Sequence, residues 1–118
     1  MMRILVTGSR DWTDEDVVYE ALVTYSLPGD VIVHGACPTG ADAFADRWAV
    51  SNGRAVERHP ALWRVHGRSA GPIRNQQMVA RGAEVCLAFP LGVSRGTRGC
   101  MAMAGAAGIP VKIFEGEQ

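Results

Sequence analysis

A chain of 118 residues has room for one domain, and its 47% apolar and 20% charged residues are values of a globular protein rather than a disordered one. Twelve basic and twelve acidic residues cancel, which argues against broad nucleic-acid or polyanion binding but not against a local anion site. Three cysteines (Cys37, Cys86 and Cys100) with no C-x-x-C pair point to neither a disulfide framework nor a zinc ribbon. No apolar run reaches the ~18 residues a membrane span needs, and MMRILVTGSR turns polar too early for a secretory signal, so a cytoplasmic location with reduced thiols is expected.

Arg3–Thr7 (RILVT) reads as a buried strand, and Asp14–Ser26 as a helix with Val17, Val18, Ala21, Leu22 and Tyr25 on one face. Thr13 or Asp14 can cap that helix, Glu15 and Asp16 suit its positive end, and Pro28-Gly29 stops it. Asp30–His34 is a second strand. Ala41–Ser51 is an amphipathic helix, with Ala41, Phe44, Ala45, Trp48 and Ala49 in register and Asn52-Gly53 as its stop. Arg54–Arg58 is a weaker strand, followed by an irregular stretch from His59 to Ala70. Pro72–Arg81 is a helix, Glu84–Phe89 a strand and Gly96–Ala107 a helix; Ile109–Phe114 is a last strand whose Pro110 points to a sheet edge. About five strands alternating with four helices predict an α/β fold, a single doubly wound parallel sheet over residues 1–118.

Ligands of such sheets sit beyond the carboxyl ends of the strands, near the point where strand order reverses. Three of those ends carry small polar loops with glycine: Gly8–Trp12, Gly35–Asp42 and Pro90–Arg98. Each leads towards a helix N-terminus, where free N–H groups and the helix dipole favour anions, so a phosphate site is expected. The familiar nucleotide motifs are missing. Gly35 and Gly40 have P-loop spacing, but Ala41-Asp42 stands where Lys-Ser/Thr is required. The first turn lacks G-x-G-x-x-G, and no G-x-S-x-G elbow occurs.

Four blocks in this order, RILVTGSRDW, HGACPTGADAFADRWA, GPIRNQQM and AFPLGVSRGT, resemble the YspA-like branch of the SLOG superfamily over residues 3–114. The resemblance implies a Rossmann-like fold and kinship with lonely-guy phosphoribohydrolases and with the DNA-processing protein DprA. It also implies a nucleotide or nucleotide-derived ligand held by the glycine loops. On that basis Gly8, Ser9, Arg10, Gly35, Gly40, Asp42, Arg74, Asn75, Ser94, Gly96 and Thr97 would line the pocket. The phosphoribohydrolases carry P-G-G-x-G-T-x-x-E with a catalytic glutamate. Here the block has one extra residue before Gly96-Thr97, and Cys100 stands in the glutamate place. Hydrolysis by that route is therefore not expected, and no catalytic residue is assigned.

Several residues have two readings. Arg74 clamps a phosphate or pairs with a surface acid; Asp42 binds a ribose hydroxyl or caps its helix. Ser9 and Thr97 donate to phosphate, cap helices, or do both. Trp12 stacks on a base or packs in the core, and Trp63 packs its loop down. His34 reads as a hydrogen-bonded structural histidine rather than a base. His59 and His66 have no acid or cysteine cluster around them, so no metal is expected, and no cofactor motif is present. The acidic excess of residues 1–53 and the basic excess of residues 54–118 set five arginines against one glutamate within Arg54–Arg74. That stretch can steer an anion; a solvated loop is favoured over nucleic-acid binding. The expected function is sensing or sequestration of a nucleotide-derived molecule. The alternatives are a hydrolase of a nucleotide or nucleotide-sugar bond and a nucleic-acid-binding accessory protein. The uncharged Gly99–Ala107 stretch is apolar all round, so the 96–107 helix is expected to pair copies of the chain into a homo-oligomer.

Overall fold

Strand β1 (Arg3–Gly8) is the pivot of the molecule, because its apolar run is buried on both sides. The computed structural model describes residues 1–116. Around β1 lie β2 (Val31–His34), β3 (Ala55–Arg58), β4 (Val85–Phe89) and β5 (Val111–Ile113). Their order is β3-β2-β1-β4-β5, and every pairing is parallel. Leu5 stands opposite Val33 on one side and Cys86 on the other. The chain thus winds outward through β2 and β3, then returns across β1 to build β4 and β5. This reversal places the switch point between the carboxyl ends of β1 and β4.

Four helices of eleven or twelve residues cover the sheet: α1 (Glu15–Tyr25), α2 (Gly40–Ser51), α4 (Ala70–Ala80) and α5 (Arg95–Ala106). Side chains alternate across a strand, so Ile4 and Val6 serve one face of β1 and Leu5 the other. The first face packs with Ile32, Leu87 and Phe89 against Val18 and Leu22 of α1 and Ala45 and Trp48 of α2. The second packs Leu5, Val33 and Cys86 against Met78 and Val79 of α4 and Cys100 and Ala104 of α5. The expected doubly wound architecture is therefore present.

The stretch from His59 to Ala70 is less irregular than its composition predicts. A single turn, α3 (Trp63–His66), runs through a 3-10 turn at Gly67–Ser69 into α4, which begins at Ala70 rather than Pro72. None of Leu62–Ser69 is buried, so no apolar period marks this turn. Trp63, expected to pack its loop down, is 53% exposed, with its ring edge lying over Gly71 of α4. Trp12 is a core residue, edge-on to Phe89 with ring centroids 5.5 Å apart, and Phe114 stacks on the same ring at 5.1 Å.

A candidate anion site at the switch point

The carboxyl end of β1, the loop after β2, the first turns of α2 and α5 and the Arg74–Met78 side of α4 enclose a crevice of about 260 Å³. Ten of the eleven expected residues line it: Gly8, Ser9, Arg10, Gly35, Asp42, Arg74, Asn75, Ser94, Gly96 and Thr97. Gly40 does not. Its φ is +74°, and a Cβ there would lie 2.6 Å from the Cα and carbonyl carbon of Arg10 and closer still to the Ser9 carbonyl oxygen. Gly40 lets two backbones touch, and only indirectly shapes the site. Gly8 serves the same purpose, since a Cβ would press on Ala41 and come within 3.0 Å of Phe89 Cβ. Thr7, Arg95 and Cys37 also line the crevice without having stood out in the sequence. Thr7 looks like strand interior, and Arg95 is one of many arginines.

The three loops lead to helix N-termini in different states, and both α2 and α5 lack a side-chain cap. α1 starts well past the first loop and is capped by Asp14, whose Oδ1 accepts the Val17 N–H at 3.4 Å. Two acids fill its first turn, so it repels anions. At α2 the Ala41 N–H is already donated to the Ser9 carbonyl at 3.2 Å. At α5 the N-cap Ser94 makes no side-chain capping bond, and a Cβ on Gly96 would meet nothing within 4 Å. The free donors of α5 therefore face the crevice without obstruction. Ser94 (φ 45°) and Ala36 (φ 57°) are the non-glycine residues with left-handed backbone among those described. Such conformations cost about 1–2 kcal/mol each, and both fall in loops at this end of the sheet.

Arg74 is braced rather than paired with a surface acid. Its Nη1 donates to the carbonyls of Gly35 and His59, and its Nε donates to Asn75 Oδ1 at 2.8 Å. Nη2 has no partner among the described residues and can donate to a ligand. Asn75 in turn donates to the Gly96 carbonyl at 3.3 Å, linking α4 to the first turn of α5.

Asp42, on α2, forms the floor and is 6% exposed. It does not cap α2: its Oδ2 accepts the Cys37 N–H at 3.3 Å, upstream of the helix. Its Oδ1 is the one buried side-chain oxygen or nitrogen without a partner among the described residues. Burial pushes its carboxyl above the usual range, against the pull of nearby His34, the Cys37 N–H and Arg74. His34 itself is structural. It is 2% exposed, its Nδ1 accepts the Ala36 N–H at 2.9 Å, and its Nε2 donates to Asp46 Oδ2 at 2.7 Å. Cys100 is fully buried in the second core face, and burial raises its thiol, with a Thr7 hydrogen bond opposing. The Cys86 thiol is pushed up to about 12 by burial. Neither sulfur is a ready nucleophile. Among the described residues no cluster of three or more His, Cys, Asp or Glu is placed to hold a metal, and no helix is long and apolar enough to cross a membrane.

Two comparisons bear on this site. The sequence profile of the YspA, cpYpsA-related SLOG family matches residues 2–66, from β1 through α3. Gene 61 protein of Mycobacterium phage D29 is 50% identical over 122 aligned positions, covering 97% of this chain and 97% of that protein. The second match extends across the α4 and α5 side of the crevice as well.

Proposed function

From the fact that the chain belongs to the YspA, cpYpsA-related SLOG family, we propose that its crevice binds a nucleotide or nucleotide-derived ligand, as a sensor or sequestering protein. The observation that carries this reading is the meeting of two anion-seeking features. The uncapped N-terminus of α5 and the unpartnered Nη2 of a braced Arg74 open onto one crevice. Exposed Arg10 and Arg95 at its rim add to the attraction. The test is calorimetric titration with a panel of nucleoside mono- and diphosphates. Arg74→Ala should cost about 1.5–3 kcal/mol of binding, the worth of a charge-assisted contact. A loss near zero, or no binding by any nucleotide, refutes the reading.

Binding is favoured over cleavage by the state of Cys100. At the place of the phosphoribohydrolase glutamate stands a thiol closed into the core, unable to act as acid or base on a ligand. The proposal extends to a second copy as partner, through the face of α5 formed by Ala102, Gly105 and Ala106. All three are exposed and small enough for close approach of another helix.

A further inference from the structure

We propose that Asp42 selects ligands bearing a sugar hydroxyl close to their phosphate, so that this crevice takes ribonucleotides in preference to forms lacking those hydroxyls. The inference rests on the nucleotide-binding reading above. It starts from a mismatch within the site. Arg10, Arg74 and Arg95 and the α5 N-terminus call for an anion, yet the floor of the same crevice is a carboxylate. A bare phosphate pushed against Asp42 would meet like charge in a poorly solvated place, where repulsion is strong. A ligand that satisfies both ends carries its anion at the rim and a hydrogen-bond donor at the floor.

Asp42 is specific about that donor. A buried carboxylate oxygen without a partner is costly, and native structures leave few of them. Oδ1 is in that condition, while Oδ2 is occupied by the Cys37 N–H. One oxygen remains, so the contact is single. The paired N–H groups of a base such as guanine need both oxygens of a carboxylate, and here they cannot have them. A hydroxyl, with one proton to give, fits. Size points the same way. About 260 Å³ is below the ~300–1,000 Å³ of pockets that enclose a whole small molecule. The enclosed portion is then the sugar phosphate, and the base lies toward the rim. Of the other buried polar side chains lining the crevice, Thr7, Asn75 and Thr97, the amide of Asn75 is already satisfied by Arg74 and the Gly96 carbonyl, and the two hydroxyls carry no charge to set against a phosphate.

The test titrates the wild-type protein with the four common ribonucleoside 5′-monophosphates and their 2′,3′-dideoxy counterparts. The ribo form of the best-binding nucleotide should bind at least about tenfold more tightly, the value of one hydrogen bond to a charged group. Equal affinity for the two forms overturns this inference and leaves the nucleotide-binding reading standing. Failure of every nucleotide to bind overturns that reading and this one with it. In Asp42→Asn the amide keeps an oxygen for Cys37 and turns an N–H₂ toward the ligand. The ratio between ribo and dideoxy forms should then fall toward one. An undiminished ratio in a folded Asp42→Asn protein assigns the discrimination elsewhere and refutes the role of Asp42. The wild-type comparison decides the matter even where the variant does not fold.

Discussion

Gly40 and Gly53 offer a matched pair for separating backbone strain from crowding. Their φ angles are +74° and +72°, so an alanine at either position suffers the same left-handed penalty of about 1–2 kcal/mol. The gain from stiffening the unfolded chain is also common to both and cancels in the comparison. Their surroundings differ. A Cβ at Gly53 meets nothing within 4 Å, whereas one at Gly40 lies 2.6 Å from Arg10 backbone atoms and nearer to the Ser9 carbonyl. That carbonyl cannot withdraw freely, because it accepts the Trp12 and Ala41 N–H groups at 3.2 Å each. Relief requires the β1 loop to move off α2, an overpacking cost of about 1–3 kcal/mol. Gly40→Ala should thus lose about 2–5 kcal/mol in total and Gly53→Ala about 1–2. At this chain length each kcal/mol shifts the thermal midpoint by about 3–6 °C, so circular dichroism melts resolve the two variants easily. Equal midpoints would refute the claim that Gly40 is held by backbone contact, and would return it to the list of residues reserved for ligand approach.

Gly96→Val is the opposite case: its Cβ enters open space over the α5 N-terminus, so nucleotide affinity should fall about tenfold or more while the melting midpoint holds. Unchanged affinity would remove α5 from the anion cradle. Glu57 is held at about 2, below its ordinary 4.5, first by the Arg3 guanidinium that it accepts at 2.8 and 2.9 Å and then by His59. Between those values the unfolded chain binds more protons than the folded one, so this part of the stability is full above about pH 4.5 and is lost as pH falls toward about 2. Urea midpoints across that range should fall less steeply in Glu57→Gln; parallel slopes would show that Glu57 does not carry the acid sensitivity. Pairing of copies through α5 should give a light-scattering mass twice the 12.6 kDa of the chain, with Ala106→Glu shifting it to monomer. A wild-type mass of 12.6 kDa at high concentration would end that proposal. Met103 is no substitute for Ala106 in this test, because it packs on the second core face.

The elements were legible wherever burial follows a local period. β1 and β4 are continuous apolar runs because helices cover both faces of the sheet, and the run itself records that. In α2 the spacing of Ala41, Ala45, Trp48 and Ala49 matches the buried stripe. The loops after β1, β2 and β4 showed their small polar residues, and the rule of strand ends put them at one side of the sheet. The α3 turn was silent because nothing on it is buried. What only the tertiary structure decided was the division of labour among those loop residues. Glycine reads the same whether it admits a ligand, as the open space at Gly96 does, or another backbone, as at Gly40. Asp42 in a first turn reads as a cap until Cys37 is seen to occupy one of its oxygens. Arg74 reads as a phosphate clamp or as a surface charge until the Gly35 and His59 carbonyls are found to brace it. Period and propensity report on neighbours within a few residues. These partners are brought together by the order of strands in the sheet, which no local pattern encodes.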